Sequence, residues 1–440
     1  MSPILSTEDF HNWGKTQQAK VISCHPKTKD EVQKIIKAVN EFKGEVKLRC
    51  AGARHSWSPL FFDSSKQNVL IYVDKISSDY GSSSKIRISN KKNQEVDIMT
   101  GVTTGDFEKF QLKNKMNLKA NVILEVVQMV SVVATGCHGV GRGTKSPSDY
   151  VIRMRIFNSD GELKTYSKEE DPAFFKAVAT NFGCFGVIFD MTITLEPLMN
   201  VKTENSYRKL KDIFQNAENM KELIENNWSV ELFWFPFNSM SPGRGYEPTN
   251  DEVWIRQINE EKRNVSLKGY CYYRWKNSLD CITQDALALT GPILAAHPSL
   301  TPYFSFSGFE TIKHVIYREG PIYQQLPYAI HFSEAYLCPG NIGNPDDGGT
   351  GQVLYIEVLS VAGTPGWEDF CKYVAGKWLD MGGIPHLAKQ WSFIPNIEKR
   401  INDKMGHNIS SFKEQLEKSE ADSNGIFLND TLRKLLWATN

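Results

Sequence analysis

The sequence contains the stretch Ala134-Thr135-Gly136-Cys137-His138-Gly139-Val140-Gly141-Arg142-Gly143, and a shorter glycine-containing stretch, Ala51-Gly52-Ala53-Arg54-His55-Ser56, precedes it. Glycine lets backbone N–H groups approach a diphosphate closely, and small neighbouring side chains keep such a loop concave. Neither stretch is a P-loop, and Gly136-x-x-Gly139-x-Gly141 does not have the spacing of a dinucleotide-binding fingerprint. A single glycine loop is most often only a turn, so the flanking sequence has to decide what the two stretches do.

The shorter stretch follows a predicted strand–helix–strand unit. Residues 19–24 and 46–50 are predicted as strands, and Thr28-x-x-Glu31 predicts the start of a helix between them. Apolar residues at helical spacing continue this helix until Gly44: Val32, Ile35, Ile36 and Val39. Such a unit, ending in a glycine-containing loop, resembles half of a nucleotide-binding domain. Further strands are predicted at 69–73, 95–99, 151–157 and 186–195.

The pattern changes after Pro197. Aromatic strands are predicted at 229–239 and 268–275 and a third strand at 353–359, with helices at 205–227, 366–380 and 408–418. This interleaving predicts an α+β fold of two domains, residues 1–197 and 198–440. The second domain is expected to hold a mixed or antiparallel sheet flanked by helices.

Composition excludes several classes of protein. Lys plus Arg equals 51 and Asp plus Glu equals 51, so the chain lacks the positive excess of a protein that binds nucleic acid through its phosphates. The first residues show no secretory signal, and no apolar run is long enough for a membrane anchor. The eight cysteines form no C-x-x-C pair, so free thiols and a cytosolic location are expected. No residues have the spacing of a metal site.

Seven short segments match, in order, the motifs of one group of enzymes. They are Phe10-His11-Asn12-Trp13, Arg54-His55-Ser56, the stretch 134–141, the stretch 181–188, Phe233-Trp234-Phe235-Pro236, Pro385-His386-Leu387-Ala388-Lys389 and the stretch 425–430. With these segments the chain resembles the vanillyl-alcohol-oxidase-type FAD-linked oxidases, whose FAD-binding domain is called PCMH-type. Within that family it is most similar to the sugar-1,4-lactone oxidases, which act on L-gulonolactone or D-arabinonolactone, and to the alditol oxidases.

The resemblance implies how FAD is bound. Residues 1–197 would bind FAD, and residues 198–440 would cap the flavin ring, with the segment from about 385 to 440 returning toward it. The cofactor-binding residues that the resemblance implies are Gly52, Ala53, Arg54, His55, Ser56, Thr135, Gly136, Cys137, His138, Gly139, Gly141, Val187 and Ile188. Backbone N–H groups of the two glycine stretches would face the diphosphate from opposite sides, and the stretch 181–188 would lie along the adenine.

A covalent flavin is also implied. In enzymes of this type a histidine at the position of His55 is commonly bonded to the flavin 8-methyl carbon, which raises the flavin potential. Cys137 departs from the lactone-oxidase pattern, which has Thr there, and fits the C-x-x-V-G-x-G of the berberine-bridge-type branch. A second link through Cys137 therefore stays open beside the simpler interpretation of a small buried thiol.

Lys389 and His386 are catalytic candidates from the same resemblance, and the carboxylates of Glu357 and Glu334 are added as candidate substrate ligands. Lys389 would be the cation at the flavin N1–C2=O edge, and the two glutamates would bind a substrate hydroxyl or amine while hydride leaves a CH–OH or CH–NH carbon for N5. The relatives carry E-x-R where this chain has Glu357-Val358-Leu359. The missing arginine favours a flatter or more apolar small molecule, with Glu357 facing an amine.

Three functions stay open from the sequence. The first is an FAD-dependent oxidase or dehydrogenase, with oxygen or another electron acceptor reoxidising the flavin. The second is a berberine-bridge-like oxidase that closes rings or oxidises C–N bonds in specialised amine or alkaloid-type metabolism, which a link through Cys137 would favour. The third is a flavin-binding protein without catalysis, against which the retained His386 and Lys389 argue.

Overall fold

The computed structural model of the chain describes residues 5–122, 124–139, 141–234, 236–240, 245–262, 319–321, 333–343, 353–358 and 365–437. The predicted strand at 268–275 and the position of Leu359 lie outside these residues. Within them, no helix is both long and apolar enough to cross a membrane.

The first sheet confirms the predicted strand–helix–strand unit. Its elements are β1 (Leu5–His11), β2 (Gln18–Cys24), α1 (Lys29–Asn40), β3 (Val46–Cys50) and β4 (Gln67–Ile71), and the strand order is β1-β2-β4-β3. Strands β2 and β3 both run parallel to β4. The Thr28 hydroxyl accepts a hydrogen bond from the Glu31 N–H and starts α1, whose predicted apolar face is buried. The stretch 51–56 leaves the sheet directly after β3.

A second, antiparallel sheet has the order β5-β6-β10-β8-β9. Its elements and the helices between them are β5 (Ile86–Asn90), β6 (Glu95–Met99), α2 (Thr104–Asn114), α3 (Met129–Ala134), β8 (Val151–Phe157), β9 (Leu163–Ser167), α4 (Pro172–Ala179) and β10 (Val187–Thr194). The short strands β7 (Met116–Asn117) and β11 (Glu196–Pro197) pair with each other. Helix α3 ends at Ala134, so the stretch 134–143 begins at a helix C-terminus.

The third sheet, in the order β13-β14-β12-β15, lies after Pro197. Its elements are β12 (Asn200–Lys209), α5 (Leu210–Phe214), α6 (Ala217–Glu225), β13 (Ser229–Trp234), β14 (Glu252–Glu261) and β15 (Glu319–Pro321). The described part of the chain continues with α7 (Trp367–Asp380), α8 (Ile397–Ser419) and α9 (Asp430–Leu436). Helices α5 and α6 bury their apolar side chains with those of β13 and β14.

Two expectations about the second half were wrong. The predicted helix at 205–227 begins as strand, because β12 extends to Lys209 and pairs residue by residue with β14, and only residues 210–214 and 217–225 are helical. Long-range pairing therefore overrides the local helical spacing. The predicted strand at 353–359 is also absent, since residues 353–358 show a single bridge position and most of them are exposed.

The C-terminal segment packs against the first half of the chain. Apolar residues of α8 and α9 share one buried cluster with the second sheet and with α4, and Ile426 and Phe427 belong to a second cluster between the two first sheets. The Leu48 N–H donates to the Ile426 carbonyl at 2.8 Å, and the Arg49 guanidinium donates to the Phe427 carbonyl at 2.7 Å. These contacts fix β3, and with it the start of the stretch 51–56.

Gly186, directly before β10, lies so close to β8 that its substitution is expected to destabilise the protein. Gly186 has φ +123°, and a Cβ there would lie 1.9 Å from the Phe157 carbonyl oxygen. We expect Gly186→Ala to lower the free energy of unfolding by more than about 4 kcal/mol, measured by chemical denaturation, because β8 and β10 would have to separate.

The matched control for this change is Gly81→Ala. Gly81 also has a positive φ, +71°, but no described atom lies within 4 Å of the Cβ position. It should lose only about 1–2 kcal/mol from the backbone conformation. Equal losses in the two variants would contradict the steric explanation.

Candidate functional site

The stretch 51–56 forms a loop with a row of free backbone donors. Among the described residues, none accepts a hydrogen bond from the backbone N–H groups of Gly52, Ala53, Arg54, His55 and Ser56. Arg54 has φ +62°, a conformation in which successive N–H groups turn toward the same side. Consecutive unbonded N–H groups form a site for an anion, so this loop fits the FAD diphosphate that the resemblance implies.

The same loop is joined to the segment that carries His386 and Lys389. The Trp57 N–H donates to the Ala388 carbonyl at 2.7 Å, and the Ser58 hydroxyl donates to the Leu387 carbonyl at 2.7 Å. Ser58, Leu387 and Ala388 are all buried. The segment 385–389 is therefore held directly beside the loop of His55.

In the second glycine stretch, 134–143, two of the backbone N–H groups expected to bind the diphosphate already have partners. The N–H groups of Thr135 and Gly136 already bond the carbonyls of Ser131 and Val133, at 3.0 and 3.2 Å, because they close the last turn of α3. The N–H groups of these two residues were expected to donate to the diphosphate, but they are already bonded within the protein. The sequence did not predict helix α3, whose last turn they close. Among the described residues, none accepts from the Gly139 N–H, which stays available.

Close approaches explain why glycine occupies three of these positions. A Cβ at Gly139 would lie 2.4 Å from the backbone of Ala120, and one at Gly52 would lie 2.9 Å from the Ser131 hydroxyl on α3. Gly141 has φ +93° and lies against the ring of Trp228. The loop 51–56 therefore lies against α3, the helix that leads into the second stretch, as binding of one diphosphate by both stretches requires.

His386 connects the second stretch to the segment 385–389. Its Nε2 lies 3.0 Å from the Gly136 carbonyl, and its Nδ1 accepts the Ala388 N–H at 3.2 Å. These partners assign the neutral tautomer with the proton on Nε2. Burial lowers the pKa of His386 to about 3, because it disfavours the charged imidazolium, and the neighbouring His138 and Lys389 act in the same direction. Because both ring nitrogens are in use, His386 is unsuited to take up a substrate proton, and it holds the segment 385–389 in place.

His138 is neutral for the same reason. Burial lowers the pKa of His138 to about 4, aided by the charge of Lys389. Its ring stacks on Tyr355 with centroids 3.8 Å apart, and lies 6.1 Å from that of His386. Tyr355 was not among the predicted site residues, although it lies in the apolar stretch 353–359 that drew attention to Glu357.

Lys389 is exposed and lies in a turn, in which its N–H donates to the His386 carbonyl at 2.8 Å. Its positive charge nevertheless acts on the whole group of nucleophilic side chains. Burial first, and then the Lys389 charge, lower the pKa of His55. For Cys137 burial dominates and raises the thiol pKa, although a Thr135 hydrogen bond and Lys389 oppose it.

The two predicted glutamates lie in different surroundings. Glu334 is paired with Lys145 and, at 3.4 Å, with Lys168. Burial alone would raise the pKa of Glu334, but these two lysines hold it below its ordinary value. Glu334 is thus satisfied within the protein and is a poor substrate ligand. Glu357 is exposed, so the burial cost expected for it does not arise.

The two residues expected along the adenine are buried in β10. Val187 belongs to the cluster between the first two sheets, and Ile188 belongs to the cluster on the helical side. Their side chains therefore hold the second sheet in place, and contact with a cofactor would come from the backbone before them. Phe182 and Gly183, which precede β10, both have positive φ.

Comparison with known proteins agrees with this geometry. Residues 22–167 match the family model described as an FAD binding domain. The chain is 22% identical over 248 residues to a D-arabinono-1,4-lactone oxidase of Candida albicans, covering 54% of this chain and 43% of that protein. It is 20% identical to L-gulonolactone oxidase of Mus musculus, covering 52% of this chain and 48% of that protein. The matches thus span less than half the length of these relatives.

The fold is confirmed by a solved structure. The crystal structure of cholesterol oxidase from Brevibacterium sterolicum superposes with a TM-score of 0.71 at 16% identity, covering 99% of this chain and 97% of that one. The α+β fold class is therefore confirmed, as are the resemblance to FAD-linked oxidases and FAD as the cofactor of the matched domain.

Because His386 is neutral in the folded protein, we expect it to make the free energy of unfolding depend on pH. The unfolded chain takes up a proton near the ordinary pKa of 6.5, whereas burial lowers the pKa of folded His386 to about 3. The unfolded state therefore binds more protons between these values, and His386 makes the protein lose stability as the pH falls. In His386→Gln, which keeps an N–H for Gly136, the loss between about pH 6.5 and 4 should be shallower by up to about 1.4 kcal/mol per pH unit. Urea titrations at several pH values measure it.

His407→Gln is the matched control, because the His407 ring is exposed on α8. It removes one histidine without removing a buried one. If it flattened the pH dependence as much as His386→Gln, burial of His386 would not be the cause.

Proposed function

We propose that the chain is an FAD-dependent oxidoreductase that removes a hydride from a CH–OH or CH–NH carbon of a small molecule, with oxygen as the acceptor and hydrogen peroxide as the product. The observation that carries this proposal is the direct bonding of the loop 52–58 to the segment of Lys389. Because of it, the free N–H row for a diphosphate, the nucleophilic His55 and the cation Lys389 lie around one site. A flavin-binding protein without catalysis would need neither the nucleophilic His55 nor the cation Lys389.

We assign the two halves different roles. Residues 1–197 hold FAD and residues 198–440 cover the reacting side, while the segment after about 385 returns to the first half. The N–H groups of residues 52–56 and of Gly139 bind the diphosphate. When bound, the flavin ring supplies the hydride acceptor, its N5.

Lys389 stabilises negative charge at the N1–C2=O edge of the ring. The exposed Lys389 ammonium is free to reorient toward that edge, because it forms no ion pair with an acidic side chain of the described residues. The neutral His386 holds the turn of Lys389 against Gly136, and the neutral His138 adds no competing charge. Charge at this site therefore comes chiefly from Lys389.

The covalent link is assigned to His55 alone. Burial and Lys389 keep the pKa of His55 below its ordinary value, so a ring nitrogen is unprotonated at neutral pH. The Cys137 pKa is raised by burial, so its thiol stays protonated and is a poor nucleophile. This contrast favours the lactone-oxidase type of attachment over the berberine-bridge type.

The substrate is proposed to be less polar than a sugar lactone. The segment 353–358 exposes Leu354, Ile356 and Val358 around Glu357, and it lies beside His138 through the Tyr355 ring. Such a surface suits an apolar molecule that carries an amine for Glu357 to bind. The sugar lactones after which the curated relatives are named are the alternative.

A substrate panel tests the proposed class. Hydrogen peroxide release is measured with sugar lactones, alditols and apolar amines at equal concentration, and we expect the amines to give the highest kcat/KM. Glu357→Gln should then raise KM for the amines and leave KM for neutral alcohols unchanged, since the carboxylate charge is lost. Robust turnover of L-gulono- or D-arabinono-1,4-lactone would contradict the apolar assignment.

The role of Lys389 is tested with whichever substrate the panel identifies. Lys389→Met should lower kcat about 10²- to 10³-fold while FAD stays bound, because the charge at the reacting edge is lost. Lys377→Met removes an exposed lysine from α7 and is the matched control. If the two variants had equal kcat, Lys389 would have no part in the chemistry.

A further inference from the structure

Trp13 is an exposed aromatic residue with an unusual neighbour. Its side chain is 60% exposed, and it belongs to none of the buried apolar clusters of the described residues. Its ring nevertheless stacks on the His55 imidazole, with centroids 5.2 Å apart and an interplanar angle of 19°. Trp57 meets the Trp13 ring edge-on at 5.8 Å. The stack restricts the ring of His55 to one plane.

The backbone around His55 is also held from the turn after β1. The Trp13 N–H donates to the Arg54 carbonyl at 2.9 Å, and the Asn12 side-chain amide donates to the Ser56 carbonyl at 2.9 Å. Asn12 is fully buried. Two consecutive residues therefore bind the carbonyls on both sides of His55. Neither bond uses the Trp13 ring, so both survive a change of that side chain.

Close contact with Trp57 fixes the turn itself. A Cβ at Gly14 would lie 2.3 Å from the Trp57 ring, so the turn lies directly on that ring. Trp57 is in turn bonded through its N–H to Ala388, next to Lys389. The position of Trp13 over His55 is thus set by the same contacts that join the loop to the segment 385–389.

We propose that Trp13 is a positioning residue for the covalent attachment of FAD, holding the His55 imidazole in the plane and direction from which a ring nitrogen reaches the flavin 8-methyl carbon. The inference rests on the proposed function, which makes His55 the tether. In the attachment, an N–C bond replaces the ring N–H of His55 and one C–H of the methyl group. The two protons and two electrons released pass to molecular oxygen, which becomes hydrogen peroxide.

The stack affects the rate of attachment more than the fold. An exposed ring contributes little to the core, whereas an imidazole released from the stack samples several rotamers, of which few point at the methyl carbon. Aromatic pairs are worth about 0.5–1.5 kcal/mol, so losing this one should slow attachment roughly threefold to tenfold.

The experiment compares Trp13→Leu, Trp13→Phe and Trp437→Leu with the wild type. Leu keeps apolar bulk without a ring, Phe restores a ring that can stack, and Trp437, at the end of α9, is the control for losing an exposed tryptophan. Each purified protein is incubated with FAD in air. Covalent flavin is followed by in-gel fluorescence after denaturation, and total bound flavin by absorbance of the native protein.

We expect Trp13→Leu to bind FAD but to attach it roughly threefold to tenfold more slowly, while Trp13→Phe and Trp437→Leu attach it at nearly the wild-type rate. Equal rates for Trp13→Leu and Trp437→Leu would overturn the role of Trp13 and leave the tether intact. A wild-type protein whose FAD is all released on denaturation would instead overturn the His55 tether, and this inference with it. Should Trp13→Leu fail to fold, a rate of attachment for Trp13→Phe that is severalfold slower than that of Trp437→Leu would also overturn the stacking role.

Discussion

Two hydrogen bonds, from the Trp57 N–H and the Ser58 hydroxyl to the carbonyls of Ala388 and Leu387, determine how the site is assembled. Ser58 and Leu387 are 329 positions apart in the sequence, so one bond closes a very long loop of chain. It is made in a buried setting, where an unpaired carbonyl would be costly. The loop of His55 and the turn of Lys389 therefore cannot move independently, and the remaining features of the site follow from their proximity.

Burial and the positive charge of Lys389 together determine the protonation of the side chains at the site. Burial keeps His386 and His138 neutral, and the Lys389 charge acts in the same direction on both. It also favours the neutral form of His55 and opposes the effect of burial on Cys137. A single exposed ammonium thus biases the protonation of several side chains while staying free to meet negative charge on a ligand. The His55 imidazole is therefore available as a nucleophile at neutral pH, whereas the Cys137 thiol, whose pKa is raised, is not.

Much of the first half could be predicted from the sequence, because local patterns specify it. The N-cap at Thr28 and the sequence alternation in β3 are properties of a few neighbouring residues. Long-range contacts account for what was missed. Strand β12 is stabilised by pairing with β14, where Asn205 lies opposite Arg256, 51 positions away in the sequence. Glu334 is neutralised by Lys145, 189 positions earlier. The engaged N–H groups of Thr135 and Gly136 depend on helix α3, whose six residues give too little periodicity to detect.

Mass spectrometry of the flavin-carrying peptide shows directly whether FAD is bonded to His55 in the assembled site. Trypsin should release residues 55–66 after Arg54, and residues 120–142 with Cys137 form a separate peptide. We predict a flavin mass on His55 and an unmodified Cys137 in the purified protein. A peptide 55–66 of unmodified mass, with all FAD in the acid-soluble fraction, would contradict it.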